Sequence, residues 1–167
     1  GTVKKTALSQ YSNPRKVGLR AVDLVDGDHL VGTAVVDDSN DVMLFSSEGK
    51  AVRFAGTDVR AMGRVSKGVR GMRLSAEHRV ISMVIPEANG YLLTVCDNGY
   101  GKRTSTVEFP TKGRGGKGMI AIQASDRNGP LVGATQLFDG DEIMLISDQG
   151  TMVRTRGDEV SVVGRNT

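Results

Sequence analysis

Residue types that build many functional sites are scarce in this 167-residue chain. Cys96 is the only cysteine, which excludes an intramolecular disulfide and a multi-cysteine zinc site. His29 and His78 are far apart in sequence and join no cluster of metal ligands. No apolar run approaches the roughly 18 residues of a membrane helix, and no signal-peptide pattern is present. We therefore expect a soluble cytosolic protein without a bound metal.

Aromatic residues are also few, with four Phe, three Tyr and no Trp. Binding of single-stranded nucleic acid by stacking needs more aromatic side chains than this. The 22 glycines indicate many tight turns between short strands. No window of 12 residues carries a convincing helical stripe of apolar side chains. These features predict an all-β fold.

Glycine recurs at a fixed spacing along the chain. One glycine opens a strand at Gly18, Gly68 and Gly118, fifty residues apart, and a second series precedes a short basic strand. Self-similarity at this period is typical of repeat architectures. We number the repeats by these glycines: residues 1–17 end a preceding repeat, 18–67 form repeat one, 68–117 repeat two and 118–167 repeat three.

Each repeat contains four apolar runs of strand length, as in the blade of a propeller-like fold. Runs such as Val42–Phe45 and Ile143–Ile146 are apolar on both faces, which predicts inner strands covered by neighbouring sheets. About three repeats are too few for a closed propeller of four to eight blades, so we expect a partial ring. The predicted strands are 19–24, 30–35, 42–45 and 51–54 in repeat one, 69–74, 80–85, 92–95 and 101–104 in repeat two, and 119–124, 131–137, 143–146 and 152–155 in repeat three.

Positive charge is concentrated in the connections between a fourth strand and the next first strand. Residues 7–20, 55–70 and 104–118 hold ten Lys and Arg but only two acidic residues. Fourth strands add Lys5, Arg53, Arg103 and Arg154 in register, whereas turns such as 37–41 and 139–142 are acidic. We therefore expect one positive and one negative rim, the positive one suited to a polyanion with regularly spaced charges.

The densest basic connection is the glycine-rich loop 112–118. Its glycines allow backbone N–H groups to approach phosphates, while Lys and Arg supply charge and forked donors. The predicted DNA-binding residues of the whole chain are Arg15, Lys16, Arg20, Arg60, Arg64, Lys67, Arg70, Lys102, Arg103, Lys112, Arg114, Lys117, Arg154 and Arg165.

Several sequence blocks resemble the C-terminal domain of bacterial DNA gyrase A. They are Val59-Arg60-Ala61-Met62-Gly63, Gly68-Val69-Arg70-Gly71-Met72-Arg73-Leu74, Asn98-Gly99-Tyr100-Gly101-Lys102-Arg103-Thr104 and Val163-Gly164-Arg165-Asn166-Thr167. The resemblance implies a β-pinwheel whose positive perimeter wraps duplex DNA. It also implies a non-catalytic part of an ATP-dependent type II topoisomerase that introduces negative supercoils.

The same resemblance implies partners and a location. The partners would be double-stranded DNA, the N-terminal breakage-reunion domain of the same polypeptide, and gyrase B, with no membrane partner. ATP and magnesium would be bound elsewhere in the holoenzyme, with no cofactor here, and the location would be the bacterial cytoplasm at the nucleoid. Residues 114–118 match half of the family's basic signature heptad, while Lys112 and Gly113 depart from it. Loop 112–118 is therefore interpreted as a later, degenerate copy.

Three other functions fit this pattern less well. The related C-terminal domain of topoisomerase IV binds DNA without the same wrap, and a protein-interaction propeller would need aromatic anchors at its loop tips. An enzyme needs a site that the sequence does not supply: Gly101-Lys102 is followed by Arg103 rather than the Ser or Thr of a phosphate-binding P-loop. Cys96 ends an apolar strand and is predicted to be a packed thiol rather than a nucleophile.

Overall fold

The structure is a computed structural model that describes all residues from 1 to 167. It contains eleven strands in antiparallel sheets, four short 3-10 turns and no α-helix, which confirms the all-β prediction. No helix is therefore available to cross a membrane. The strands are β1 (Thr2–Val3), β2 (Asp41–Ser46), β3 (Lys50–Ala55), β4 (Val69–Arg70), β5 (Val80–Val84), β6 (Tyr91–Cys96), β7 (Gly101–Ser105), β8 (Met119–Ile120), β9 (Leu131–Leu137), β10 (Glu142–Ile146) and β11 (Met152–Arg156), and the 3-10 turns are Leu8–Tyr11, Gly56–Asp58, Thr106–Glu108 and Gly157–Glu159.

Three of the four sheets contain strands from more than one repeat, and only the β10-β11 hairpin lies within a single repeat. The four-stranded sheet has the order β5-β2-β3-β8. Its two central strands belong to repeat one, β5 to repeat two and β8 to repeat three. A second sheet, β7-β6-β9, follows the same order one repeat later and has no strand in the place that β8 occupies beside β3. A blade of this fold is therefore completed by strands from three successive repeats.

This exchange corrects the strand predictions for repeat one. Residues 19–24 and 30–35 form no strand in the structure, and Leu30 and Val35 are 57% and 77% exposed. By the pairing of the later repeats, their partners would be a fourth strand and a third strand of earlier repeats, which residues 1–17 do not supply. Without a ladder partner, an apolar run of strand composition does not become a strand.

The first strands of repeats two and three are shorter than the six-residue runs that the sequence predicts. Only Val69–Arg70 and Met119–Ile120 pair with a neighbour. Each of these ladders covers two residue pairs, with Val3 opposite Val69 and Ala51 opposite Met119. The remaining residues of each run lie outside the regular ladders.

Coverage by neighbouring strands also decides which apolar runs are buried. Met43 and Phe45 of β2 are fully buried because β5 and β3 flank their strand. The corresponding strand β10 pairs only with β11, and Met144 and Ile146 are 55% and 64% exposed. The prediction of an inner strand is thus confirmed for 42–45 and wrong for 143–146.

The core lies between the two larger sheets. Its main cluster includes Met43, Phe45, Leu92, Phe109 and Leu131, and Ser82 of β5 donates to the carbonyl of Ala134 in β9 at 2.6 Å. The second strands β5 and β9 of successive repeats therefore contact each other. We call the side of the sheets where they meet the inside of the chain's blade assembly, and the side of the fourth strands β3 and β7 its outside. Cys96 is 1% exposed within this cluster, as predicted for a packed thiol, and burial raises its pKa.

Replacement of Gly68 by alanine is expected to destabilise the fold. Gly68 has a φ of +94°, and a Cβ there would overlap the carbonyl oxygen of Val3. Left-handed backbone alone costs a residue with a Cβ about 1–2 kcal/mol, so we expect a loss of roughly 2 kcal/mol or more in the free energy of unfolding in urea. Gly113→Ala is the matched control, because nothing lies within 4 Å of its Cβ position. Equal stability of the two variants would contradict the strand-exchange contact.

Candidate nucleic-acid interface

The basic connections form loops that project from the outward-lying fourth strands. The first begins where the Met62 N–H donates to the Lys5 carbonyl at 2.7 Å and ends where Val69 pairs with Val3. The second begins where the Lys112 N–H donates to the Arg53 carbonyl at 2.8 Å, and it ends where β8 pairs with β3. The third begins at the Val163 N–H, which donates to the Arg103 carbonyl at 3.0 Å. We call residues 62–68, 112–118 and 163–167 the perimeter loops.

One arginine side chain in each perimeter loop donates to a backbone carbonyl in a first-strand region, which spans residues 19–24, 69–74 or 119–124. The side chain of Arg64 donates to the carbonyl of Arg20 at 3.0 Å. Arg114 donates to the carbonyl of Arg70 at 2.5 Å, and Arg165 to that of Ile120 at 2.8 Å. These three equivalent contacts place each loop beside the first-strand region of its own repeat. The basic loops therefore follow one another around the outside of the assembly.

Half of the predicted binding residues are exposed and have no side-chain hydrogen bond or ion pair within the chain. Arg20 is also exposed, and its 3.9 Å pair with Asp23 is a surface ion pair of small energetic value. Cations of this kind are available to an external anion without breaking an internal contact. The unpaired residues are Arg15, Lys16, Arg60, Lys67, Arg70, Lys112 and Lys117.

The prediction that Lys102 and Arg103 bind DNA is corrected by the structure. They are 4% and 8% exposed. Arg103 donates to the carbonyls of Val160 and Asp158 at 2.8 and 3.2 Å, and its guanidinium lies 4.9 Å from the ring centre of Tyr91. Charged groups this deeply buried require such partners. These two side chains are therefore left out of the candidate surface.

The other fourth-strand cations show that this is a repeated structural contact. Arg53 donates to the carbonyls of Thr106 and Phe109 at 3.2 and 3.1 Å, and Lys5 donates to the carbonyl of Gly56 at 3.0 Å. Each cation thus binds the 3-10 turn of the following repeat. Arg154 has no following repeat in this chain; it is exposed and pairs with Glu142.

Lys102 occupies a carbonyl cage. Its ammonium donates to the carbonyls of Gly164, Arg165 and Thr167 at 2.7, 2.8 and 2.9 Å. Burial lowers the pKa of Lys102 to about 8; Glu108 opposes this effect and Arg165 adds to it. Burial likewise lowers the pKa of Lys4.

The expected separation into a positive and a negative rim is not observed in that simple form. The carbonyl of Asn40, in the acidic turn 37–41, accepts the N–H of Gly56 at 2.9 Å. The carbonyl of Asp141 accepts the N–H of Gly157 at 2.8 Å. Two acidic turns therefore adjoin the beginnings of basic connections, because both lie at the same end of the blades. Exposed, unpaired cations instead lie on the perimeter loops, at Lys67, Lys112 and Lys117, and on residues next to them in the chain such as Arg60 and Arg70.

Arg73 belongs to the candidate surface although its sequence context did not single it out. It is exposed and lines one surface depression together with Lys67 and Arg70. Its N–H donates to the carbonyl of Gly116 at 2.8 Å, which places it against the second perimeter loop. The only sequence signal was a second cation in the run 69–74, which was interpreted as a strand and in which one further charge is uninformative.

Comparison with known proteins agrees with this geometry. The family described as "DNA gyrase C-terminal domain, beta-propeller" matches residues 1–37, 40–87, 90–136 and 141–167. The chain belongs to this family. DNA gyrase A of Salmonella typhimurium is 55% identical over 167 residues, and that of Pseudomonas aeruginosa is 56% identical over 167 residues. Both matches cover all of this chain but only 19% and 18% of the relatives.

Two solved structures share the fold of this gyrase C-terminal domain. A DNA gyrase A C-terminal domain superposes with a TM-score of 0.80 at 31% identity, covering 90% of this chain and 52% of that one. The C-terminal domain of DNA topoisomerase IV superposes with a TM-score of 0.92 over 100% of this chain and 53% of that one, at 23% identity. The second likeness concerns the fold alone.

The caged Lys102 is expected to make stability depend on pH. Its pKa of about 8 lies below the usual lysine value of 10.5, so between these values the unfolded chain binds more protons at this site than the folded chain does. The contribution of Lys102 to stability is therefore complete above pH 10.5 and is lost as the pH falls through 8. The difference in unfolding free energy between wild type and Lys102→Met should shift in favour of wild type from pH 7.5 to 10. Urea unfolding across this range measures it, with exposed Lys112→Met as control; a flat difference for Lys102→Met would contradict the lowering of its pKa by burial.

Proposed function

We propose that this chain is a non-catalytic DNA-binding and DNA-wrapping element of gyrase A. The observation that carries the proposal is the succession of perimeter loops, each packed beside the preceding first-strand region and most carrying exposed, unpaired cations. A succession of this kind suits duplex DNA that runs around the outside of the assembly, because DNA presents phosphates at regular intervals. The DNA-facing set consists of the binding residues predicted from the sequence, with Arg73 added and the fourth-strand residues Lys102, Arg103 and Arg154 removed.

Contacts of this type favour DNA binding with little preference for base sequence. Lys and Arg that reach phosphates supply affinity and position, whereas sequence enters through the deformability of the DNA. Bending a 20–30 base-pair site by 40–90° costs on the order of 1–6 kcal/mol. Contacts distributed over several loops offset this cost better than one strong site, which is the arrangement that the exposed cations provide.

The activity of the complete protein lies beyond this chain, which spans about a fifth of the length of its curated relatives. We propose that the wrap supports ATP-dependent negative supercoiling by the holoenzyme, with the N-terminal breakage-reunion domain and gyrase B as protein partners. ATP and magnesium would then be bound outside these residues. The bacterial cytoplasm, at the nucleoid, is the proposed location.

The salt dependence of DNA affinity tests the proposal. Each neutralised phosphate contributes about −0.9 to the slope of log affinity against log salt concentration, so engagement of the seven unpaired cations gives a slope of roughly −6. Fluorescence anisotropy with a labelled duplex at several salt concentrations measures this slope. A slope near zero would rule out a phosphate-based interface.

Charge reversal tests the position of the interface. Lys112→Glu combined with Lys117→Glu is expected to weaken duplex binding by about tenfold or more, because two unpaired cations of one loop become repulsive. Arg79→Glu combined with Arg127→Glu is the matched control. Both arginines are exposed and lie beside turns between third and fourth strands; Arg79 has no side-chain partner, and Arg127 stacks 4.5 Å from the ring centre of Tyr100. Equal losses from the two pairs would show a general charge effect instead of a defined DNA path.

A further inference from the structure

The first and the third perimeter loop each enclose one lysine side chain, which comes from the fourth-strand segment against which that loop packs. Lys4 lies between Val3, which pairs with Val69, and Lys5, which forms a bridge with Ala61. Both ends of the first perimeter loop are therefore attached to the residues on either side of Lys4. Lys102 has the same place below the third loop, next to Arg103 and its bridge to Val162.

The two ammonium groups bind equivalent carbonyl oxygens. Lys4 donates to the carbonyls of Gly63 and Ser66 at 3.1 and 3.2 Å and also to that of Arg64. Relative to the loop arginine, these are the residue before it, the arginine itself and the second residue after it. The carbonyls bound by Lys102 hold the same three positions around Arg165. All three donors of each ammonium are used inside the protein.

The second perimeter loop has no such lysine and adopts a different turn. The equivalent strand position is Val52, which is 4% exposed. In the lysine-bound loops, the N–H of Ser66 and the N–H of Thr167 close ordinary turns at 3.1 and 3.2 Å, with no positive φ between. In the second loop, Gly115 has a φ of +85° and donates its N–H to the carbonyl of Gly71 at 2.8 Å. Glycine at this position permits the altered turn.

We propose that Lys4 and Lys102 are positioning residues that hold the Arg64 and Arg165 loops in their DNA-binding shape from the inside. This inference rests on the proposed function. Drawing carbonyl oxygens inward removes their partial negative charge from the DNA side, and a loop that is already ordered loses less entropy when it binds.

Hydrogen exchange followed by mass spectrometry on the full-length polypeptide tests the holding role. In Lys102→Met, amides of residues 163–167 should exchange about tenfold faster, since charge-assisted hydrogen bonds are lost. Lys112→Met removes one exposed charge and should leave these amides unchanged. Protection of β6 verifies folding; if Lys102→Met fails this check, Lys4→Met is used with amides 62–67 as the readout. Unchanged exchange in the affected loop overturns the proposal.

A double-mutant comparison of duplex affinity tests whether Lys102 acts through Arg165. Lys102→Met and Arg165→Ala should each weaken binding by about 3–10-fold, and the double variant should bind no worse than Arg165→Ala alone. Losses that multiply would mean a separate effect of Lys102 and overturn the positioning role. If Arg165→Ala binds DNA like wild type while the exchange result stands, the proposed DNA contact of this loop fails and the carbonyl cage remains.

Discussion

The structure depends on the pairing of each fourth strand with a first strand that comes two repeats later. This pairing brings β8 to β3 and β4 to β1. A few residues earlier the chain already binds the same fourth-strand segment, through Lys112 at Arg53 and Met62 at Lys5, so between the two contacts it must turn outward and return. That return path is the perimeter loop. The contact that completes a blade is therefore also the contact that creates the surface loop. The backbone hydrogen bonds that complete a blade, between β3 and β8 and between β1 and β4, therefore also fix one end of each of the first two perimeter loops.

The positive charge of the chain performs two different tasks. Cations at two adjacent positions of the fourth strands turn inward, where Arg103 binds the following 3-10 turn and Lys102 binds the third perimeter loop. Cations in the loops themselves, such as Lys67 and Lys117, remain exposed and unpaired. Buried cations are retained where carbonyl oxygens replace water. The inward set joins successive repeats, and the outward set is left for an external polyanion.

Much of the fold could be predicted from local sequence, and the errors have a common cause. The hairpins β2–β3 and β6–β7 were predicted to within a residue or two, because apolar runs flank a glycine turn. Residues 30–35 have the same composition but no partner strand in this chain. The amino-acid composition of a segment indicates whether it can form a strand. Whether it does depends on a partner strand, which comes from another repeat.

The candidate site was predictable to a similar degree. The loop cations followed from their recurrence every fifty residues. The inward direction of Lys102 did not, because its partners Gly164 and Thr167 lie more than sixty positions later in the chain. Arg73 was missed for the converse reason, since its place beside the second loop arises from a contact with Gly116. Sequence periodicity thus located the charged connections, and tertiary contacts decided which charges face outward.

The central claim is that the perimeter loops guide duplex DNA around the outside of the assembly. The most direct measurement is the linking-number distribution of a plasmid relaxed by a topoisomerase in the presence of this chain, at low and at high salt. The account predicts a shift in linking number at low salt that disappears at high salt, because phosphate contacts impose the DNA path. An unchanged distribution despite measurable DNA affinity would show that the loops bind DNA without bending it around the assembly, which would contradict the claim.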